Sequence, residues 1–264
     1  MIKLIATDLD GTLLQNGSQS LSEDTLELIR RVQESGILMT AASGRQYPNL
    51  CRLFSDASAR MAFICENGSL VRYQGEDILK EPLPAPLCGE LIEDIMNREG
   101  CEVLISGADT SYLMPKSASY VDRMQNIVKN HITIIQSPAE IKEDIIKISA
   151  YEDAGILEHS ASYFVGRWKD RAACTVSGYG WLDFVGKGVN KGRALTALMD
   201  RLHILPDEAM AFGDNYNDLE MLSTVKYGFV MDNAPEEILA AYSLHTPSVE
   251  QVLRSLLNGQ FPES

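Results

Sequence analysis

The opening run Ile2-Lys3-Leu4-Ile5-Ala6-Thr7-Asp8-Leu9-Asp10-Gly11-Thr12-Leu13-Leu14 constrains the fold more than any other part of the chain. Its apolar stretch reads as a strand buried on both faces, as in the middle of a parallel sheet. It ends in two carboxylates two residues apart. Burying anions there is costly unless a cation compensates them or chemistry requires them. Gly11 lets the chain turn sharply and bring backbone N–H groups close to an anion. The end of this strand is therefore an active-site edge.

The pattern that follows extends the sheet. Residues 20–36 read as a helix, with Ser20-Leu21-Ser22-Glu23 as its capping box, Leu26, Ile29 and Val32 on one face, and Gly36 as its stop. A strand at 37–42 ends in Ser43-Gly44-Arg45 before a further helical stretch. A short strand at 63–65 closes in Glu66-Asn67-Gly68. Strand–helix alternation of this kind predicts a parallel sheet with right-handed crossovers.

A change of character follows. Residues 70–73 and 78–80 flank a turn and read as a hairpin, and Pro82, Pro84 and Pro86 supply linker chemistry. From there helices (87–99, 118–129, 154–165) mix with strands (102–105, 145–150, 172–177, 181–184). The return linker is expected at Val185-Gly186-Lys187-Gly188. The parallel pattern resumes with a helix from Lys191 to Leu202 capped by Asn190, strands at 209–212 and 227–231, and helices at 234–242 and 248–257. The expected fold class is α/β: a doubly wound parallel-sheet (Rossmann-like) core of 1–82 and 184–264, with an inserted α+β cap at 83–183.

Charge narrows the function. A net charge of −14 argues against sequence-independent binding to nucleic acid or anionic membrane. An anionic substrate must then be captured by local positive groups. The five cysteines are odd in number, scattered and without a CxxC pair, which fits reduced thiols. No apolar run reaches spanning length, and Lys3, Asp8 and Asp10 spoil the N-terminus as a signal peptide, so a cytoplasmic location is expected.

Four polar segments lie where a core strand ends or a core helix begins: Asp8-x-Asp10-Gly11-Thr12, Ser43-Gly44-Arg45, Lys191-Gly192, and Gly213-Asp214-Asn215-Tyr216-Asn217-Asp218. Ligands of open α/β sheets bind outside the carboxyl ends of the strands, so all four can converge. Carboxylates in this number suit a hard divalent cation, and Mg²⁺ is the usual one where phosphate is bound. Ser43 and Lys191 offer a hydroxyl and a point charge to an anion's oxygens. Other readings compete for each residue taken alone. Asp-x-Asp also opens calcium loops, but Thr12 stands where the EF-hand pattern needs another Asp or Asn. Ser43 alone would be an N-cap, and Lys187 competes with Lys191 but lies in the linker. The four histidines show no metal-ligand spacing.

These segments, in this order and at these separations, resemble the haloacid dehalogenase superfamily of phosphotransferases, and the insert resembles the cap of its Cof-type sugar-phosphatase branch. Glu66-Asn67-Gly68 and the run 217–222 are also similar to that branch. The resemblance implies a Mg²⁺-dependent phosphatase of small phosphomonoesters, sugar phosphates foremost and nucleotide, flavin-precursor or pyridoxal phosphates after them, working through an aspartyl phosphate. It implies Asp8 as nucleophile, Asp10 as general acid and then base, and Ser43 and Lys191 as groups that neutralise phosphoryl charge. Mg²⁺ would be held by Asp8, the backbone carbonyl of Asp10, and Asp214, with Asp218 in the metal set or orienting Lys191. Gly44, Arg45 and Asn217 would meet the substrate, and the cap would close over the site and select the leaving group. The expected partner is a small phosphorylated metabolite, with no nucleic acid or membrane, and the chain is expected as a monomer or weak homo-oligomer. The rival readings are a phosphomannomutase-like phosphomutase and a non-catalytic phosphometabolite-binding regulator.

Overall fold

The computed structural model describes residues 1–260. Residues 261–264, which close the core domain expected from the sequence, lie outside the described residues. The described chain forms two compact units. One comprises Met1–Ser43, Leu50–Leu79 and the chain from Asn190 onward; the other comprises Gly44–Asn49 and Lys80–Val189. Among the described residues no helix is long and apolar enough to cross a membrane.

The chain opens with β1 (Leu4–Thr7), α1 (Glu23–Glu34), β2 (Leu38–Ala42), α2 (Tyr47–Phe54), β3 (Ala62–Cys65), β4 (Leu70–Tyr73) and β5 (Glu76–Lys80). It continues through α3 (Ala85–Asn97), β6 (Cys101–Ser106), β7 (Ser111–Leu113), α4 (Ala118–Asp122), β8 (Ile132–Ile134), β9 (Lys147–Glu152), α5 (Ala161–Trp168), β10 (Ala173–Val176) and β11 (Trp181–Val185). It ends with α6 (Lys191–Leu202), β12 (Ala209–Gly213), α7 (Leu219–Thr224), β13 (Tyr227–Met231), α8 (Glu236–Ala241), β14 (His245–Thr246) and α9 (Val249–Leu257).

The first unit is built on an eight-stranded sheet of order β14-β13-β12-β1-β2-β3-β4-β5. The strands from β14 through β3 run parallel, and β4 turns back antiparallel on β3. Strand β1 is fully buried, as its apolar run requires. The order reverses at β1: the chain moves outward through β2 and β3, then restarts on the other side with β12. A reversal of this kind opens a crevice at the carboxyl ends of the two strands. Because Thr7 pairs with both Phe212 and Ala41, the residues after β1, β2 and β12 leave the sheet at one edge. Helix α6 buries Ala194, Leu195 and Leu198 in a cluster with Leu4, Ala6, Ile64 and Val71 from the sheet. Asn190 caps this helix by accepting from the Arg193 N–H. The cap of α1 is Ser22, which accepts from the Thr25 N–H, in place of the expected Ser20. This start places Glu23 and Asp24 in the first turn, beside unpaired N–H groups.

The second unit is a six-stranded sheet of order β10-β11-β9-β6-β7-β8, antiparallel except for the β7–β8 pair. Helices α3 and α5 supply Leu91, Ile95, Phe164 and Trp168 to a cluster with Val103, Ile148 and Phe184. Tyr120 and Met124 cover Leu104, Leu113 and Tyr151 in another cluster. Segment 44–49 groups with this unit because the Lys147 ammonium donates to Gly44 O (2.7 Å) and Asn49 Nδ2 to Val128 O (2.8 Å).

Two expected helices differ in detail here, and two short strands were not expected. The helix expected at 154–165 occupies Ala161–Trp168, because Gly155 (φ 103°) turns the chain and the Ile156 N–H bonds to Tyr179 O. The helix expected at 118–129 is α4 followed by a π-helical turn at Arg123–Val128, which stops at left-handed Lys129. Strands β7 and β8 have three residues each, too few to show an alternating pattern.

Candidate active site

The chain leaves β1 at Asp8, a buried residue whose backbone N–H still bonds to Phe212 O (2.9 Å). The next turn is tight: the Thr12 and Leu14 N–H groups both bond to Leu9 O, and the Gly11 N–H bonds to Leu14 O. Gly11 makes this turn possible in two ways. Its φ is 98°, and a Cβ there would lie 2.2 Å from Asp214 Oδ2. The turn therefore presses the first segment against the fourth, and Thr12 Oγ1 donates to Asp214 Oδ1 (2.8 Å).

Lys191 opens α6 with its side chain buried, its ammonium 2.5 Å from Asp8 Oδ1 and 2.7 Å from Asp218 Oδ1. The other oxygen of Asp218 accepts the backbone N–H groups of Asp214 and Asn215, both at 3.1 Å. Asp218 is thus fully buried with both oxygens engaged. Oxygens of Asp8, Asp214 and Asp218 lie within 4.8 Å of one another. Three carboxylates face one ammonium, and the electrostatics follow from that count. Burial pushes the Asp8 carboxyl up to about 8, opposed by Lys191 and reinforced by Asp218 and Asp214. Burial also raises Asp214, against the pull of the Thr12 hydrogen bond. Burial works against the charged form of Lys191, but Asp218 and Asp8 outweigh it and hold the ammonium more firmly than usual.

The other residues singled out in the sequence are placed as follows. Asp10 is exposed, close enough to Asp214 to raise its pKa. Ser43 is buried just past β2, its N–H on Ile64 O (2.9 Å) and its carbonyl accepting from the Asn67 N–H (3.1 Å). Asn217 lies half-buried in the single turn Tyr216–Asp218. Gly44 and Arg45 belong to the second unit, and Lys187 is exposed in the linker. The structure thus brings Asp8, Lys191, Asp214 and Asp218 into one cluster with Asp10 beside it.

Sequence reasoning missed Asn233. Its Nδ2 donates to Gly11 O (3.0 Å) and lies 3.4 Å from Asp214 Oδ2. The signal was present: Asp232-Asn233 is a polar pair directly after β13, at the same edge of the sheet.

Comparisons with known proteins agree with this geometry. The profile of haloacid dehalogenase-like hydrolases matches residues 5–254. The 5-amino-6-(5-phospho-D-ribitylamino)uracil phosphatase YbjI of Escherichia coli (strain K12) is 26% identical over 243 residues, covering 91% of this chain and 89% of its own length. The HMP-PP phosphatase of Enterobacter sp. (strain 638) is 28% identical over 253 residues, covering 94% and 90%. Among solved structures, TM0651 from Thermotoga maritima superposes with a TM-score of 0.81 at 25% identity, covering 96% of this chain and 97% of that one. A buried carboxylate at a strand end, a buried lysine and an acidic cluster on a doubly wound sheet, together with these likenesses, lead to one conclusion: the chain belongs to the haloacid dehalogenase-like hydrolases and is a phosphoric monoester hydrolase of their Cof-type branch.

Proposed function

We propose that this protein is a Mg²⁺-dependent phosphatase of small phosphomonoesters, sugar phosphates foremost, that carries the phosphoryl group transiently on Asp8. The observation that carries the reading is the pairing of buried Asp8 with the Lys191 ammonium at 2.5 Å, beside Asp214. The residues present fit the metal. Three carboxylates against one buried ammonium leave the cluster short of positive charge, and its donors are hard oxygens. Asp8, Asp214 and the backbone carbonyl of Asp10 would hold Mg²⁺, which would supply charge neutralisation to the phosphoryl oxygens when bound. Asp218 is assigned to Lys191 instead, because it is fully buried against the ammonium while its other oxygen accepts two backbone N–H groups, whereas Asp214 is only half-buried.

In the first half-reaction an Asp8 oxygen attacks phosphorus as the ester P–O bond breaks, and Asp10 gives its proton to the departing alkoxide. In the second, Asp10 takes a proton from water, whose oxygen attacks phosphorus. The bond to Asp8 breaks and inorganic phosphate leaves. The exposure of Asp10 suits a group that must meet both a leaving alcohol and water. Ser43 and Lys191 hold the phosphoryl oxygens, and Asn217 contacts the substrate. The ribityl phosphate named for one relative supports a polyol or sugar phosphate. The five free cysteines support a reducing compartment, here the cytoplasm.

The test is a panel of phosphorylated metabolites with Mg²⁺, read as released phosphate. Sugar phosphates are expected to lead. An isomerised sugar phosphate without phosphate release would convert the reading to a phosphomutase, and no turnover of any ester would leave a phosphometabolite-binding regulator.

A further inference from the structure

Between β3 and β4 the chain does something its sequence does not favour. Glu66 (φ 51°), Asn67 (φ 58°) and Gly68 (φ 100°) are left-handed in succession, and all three are buried. Asparagine and glycine tolerate this backbone; glutamate does not favour it. The strands meet at Cys65 and Leu70, so the loop has four residues, 66–69. Loops of that length are ordinarily built on a right-handed type I turn. Hairpin closure alone does not call for three left-handed residues. Buried strain of this kind persists only where neighbouring structure over-determines it.

The neighbours are two of the proposed phosphoryl-contacting residues. The Asn67 N–H donates to Ser43 O (3.1 Å), while the Ser43 N–H donates to Ile64 O (2.9 Å). The Ser43 backbone is therefore held at both ends by β3 and its turn. On the other side, Gly68 packs against the peptide that starts α6. A Cβ on Gly68 would lie 2.4 Å from Asn190 O, 2.6 Å from Asn190 C and 3.1 Å from Lys191 N. Ser43 and Lys191 come from distant parts of the sequence, with the whole 80–189 unit between them. The turn at 66–68 touches the backbone of both.

We propose that Glu66-Asn67-Gly68 is a positioning element that fixes Ser43 and Lys191 relative to each other, so that both meet one phosphoryl group. The inference rests on the phosphatase reading above. None of the three residues need touch substrate. Asn67 acts through the Ser43 carbonyl, and Gly68 through the first peptide of α6. The left-handed backbone is what lets one short turn do both.

Two sets of variants test it, read as kcat, KM and inhibition by orthovanadate, a mimic of the five-coordinate phosphoryl transition state. Gly68→Ala must push the Asn190–Lys191 peptide away by about 1 Å, a displacement that costs on the order of 100-fold in a well-aligned site. The loss is expected in kcat and in orthovanadate affinity, with KM changed less. A merely structural role would lower the melting temperature but leave orthovanadate affinity and kcat per folded molecule unchanged, and that result would overturn the proposal. Should Gly68→Ala fail to fold, Asn67→Gly and Asn67→Ala decide. Glycine keeps the donating N–H and adopts φ 58° freely, so Asn67→Gly is expected within about 3-fold of wild type and Asn67→Ala about 10-fold lower. Equal impairment of the two would show that the side chain matters and the backbone does not, which also overturns the proposal. A wild-type protein that releases no phosphate would instead remove the reading underneath.

Discussion

Lys191 and Asp218 form an ion pair from which water is excluded: Nζ lies 2.7 Å from Oδ1, and the two side chains are 1% and 0% exposed. Asp218 cannot turn away, because its second oxygen accepts two backbone N–H groups from the loop that carries Asp214. Lys191 is thus a fixed charge, aimed at Asp8 by a carboxylate that is itself fixed by the backbone. A flexible surface lysine would have to be ordered during each turnover; this one is ordered by folding.

Asp218→Asn should therefore act on stability and activity together. Removing one partner of a buried pair typically costs about 3–5 kcal/mol. Asp8 still faces Lys191, so the lower end, about 3 kcal/mol, is expected in chemical denaturation. The concentration of Mg²⁺ giving half-maximal activity should stay within about 3-fold of wild type; a much larger shift would place Asp218 among the metal ligands.

Asp8→Asn should separate chemistry from folding. Phosphate release should fall by at least about 1000-fold, the nucleophile being lost. The fold should survive, since a neutral isostere replaces a carboxyl that burial already disfavours as an anion. A melting temperature equal to or above that of wild type is expected in calorimetry. Retained turnover would remove Asp8 as nucleophile.

Asp214→Ala should raise the half-maximal Mg²⁺ concentration by more than about 100-fold. Asn233→Ala, which removes a hydrogen bond to Gly11 O and a partner of Asp214, should raise it by about 10-fold. A metal titration of activity reads both. An unchanged midpoint for Asp214→Ala would contradict its assignment.

Gly11→Ala should be disproportionately harmful for one methyl group. The added carbon would lie 2.2 Å from Asp214 Oδ2 at a φ of 98°, so either the turn or the carboxylate must move. A loss of about 2 kcal/mol of stability is expected by denaturation, with Mg²⁺-dependent activity falling more steeply than the folded fraction.

The elements most legible in the sequence were those with long, regular signals. Helix α6 has its expected limits and its Asn190 cap, because the apolar face and a good capping residue point to the same start. The strand before Asp8 and the segments carrying Ser43, Lys191 and Asp214 were visible as polar interruptions at the ends of apolar runs. The second unit was harder. Its three-residue strands β7 and β8 are stabilised by pairing with distant chain, and residues 154–160 are held in a turn by Tyr179. Neither leaves a local pattern.

Sequence alone determined which residue types stand at the end of each parallel strand, and from that the class of chemistry, because a carboxylate such as Asp8, buried at the end of an apolar strand, is too costly to keep without a task. Only the tertiary structure decided how those residues are held against one another. It engages both oxygens of Asp218, sets Asn233 on the Gly11–Asp214 contact, and bends Glu66-Asn67-Gly68 between Ser43 and Lys191. These are relations between atoms far apart in the chain, fixed by hydrogen-bond satisfaction and steric contact; the order of residues marks the polar positions but not which of them meet.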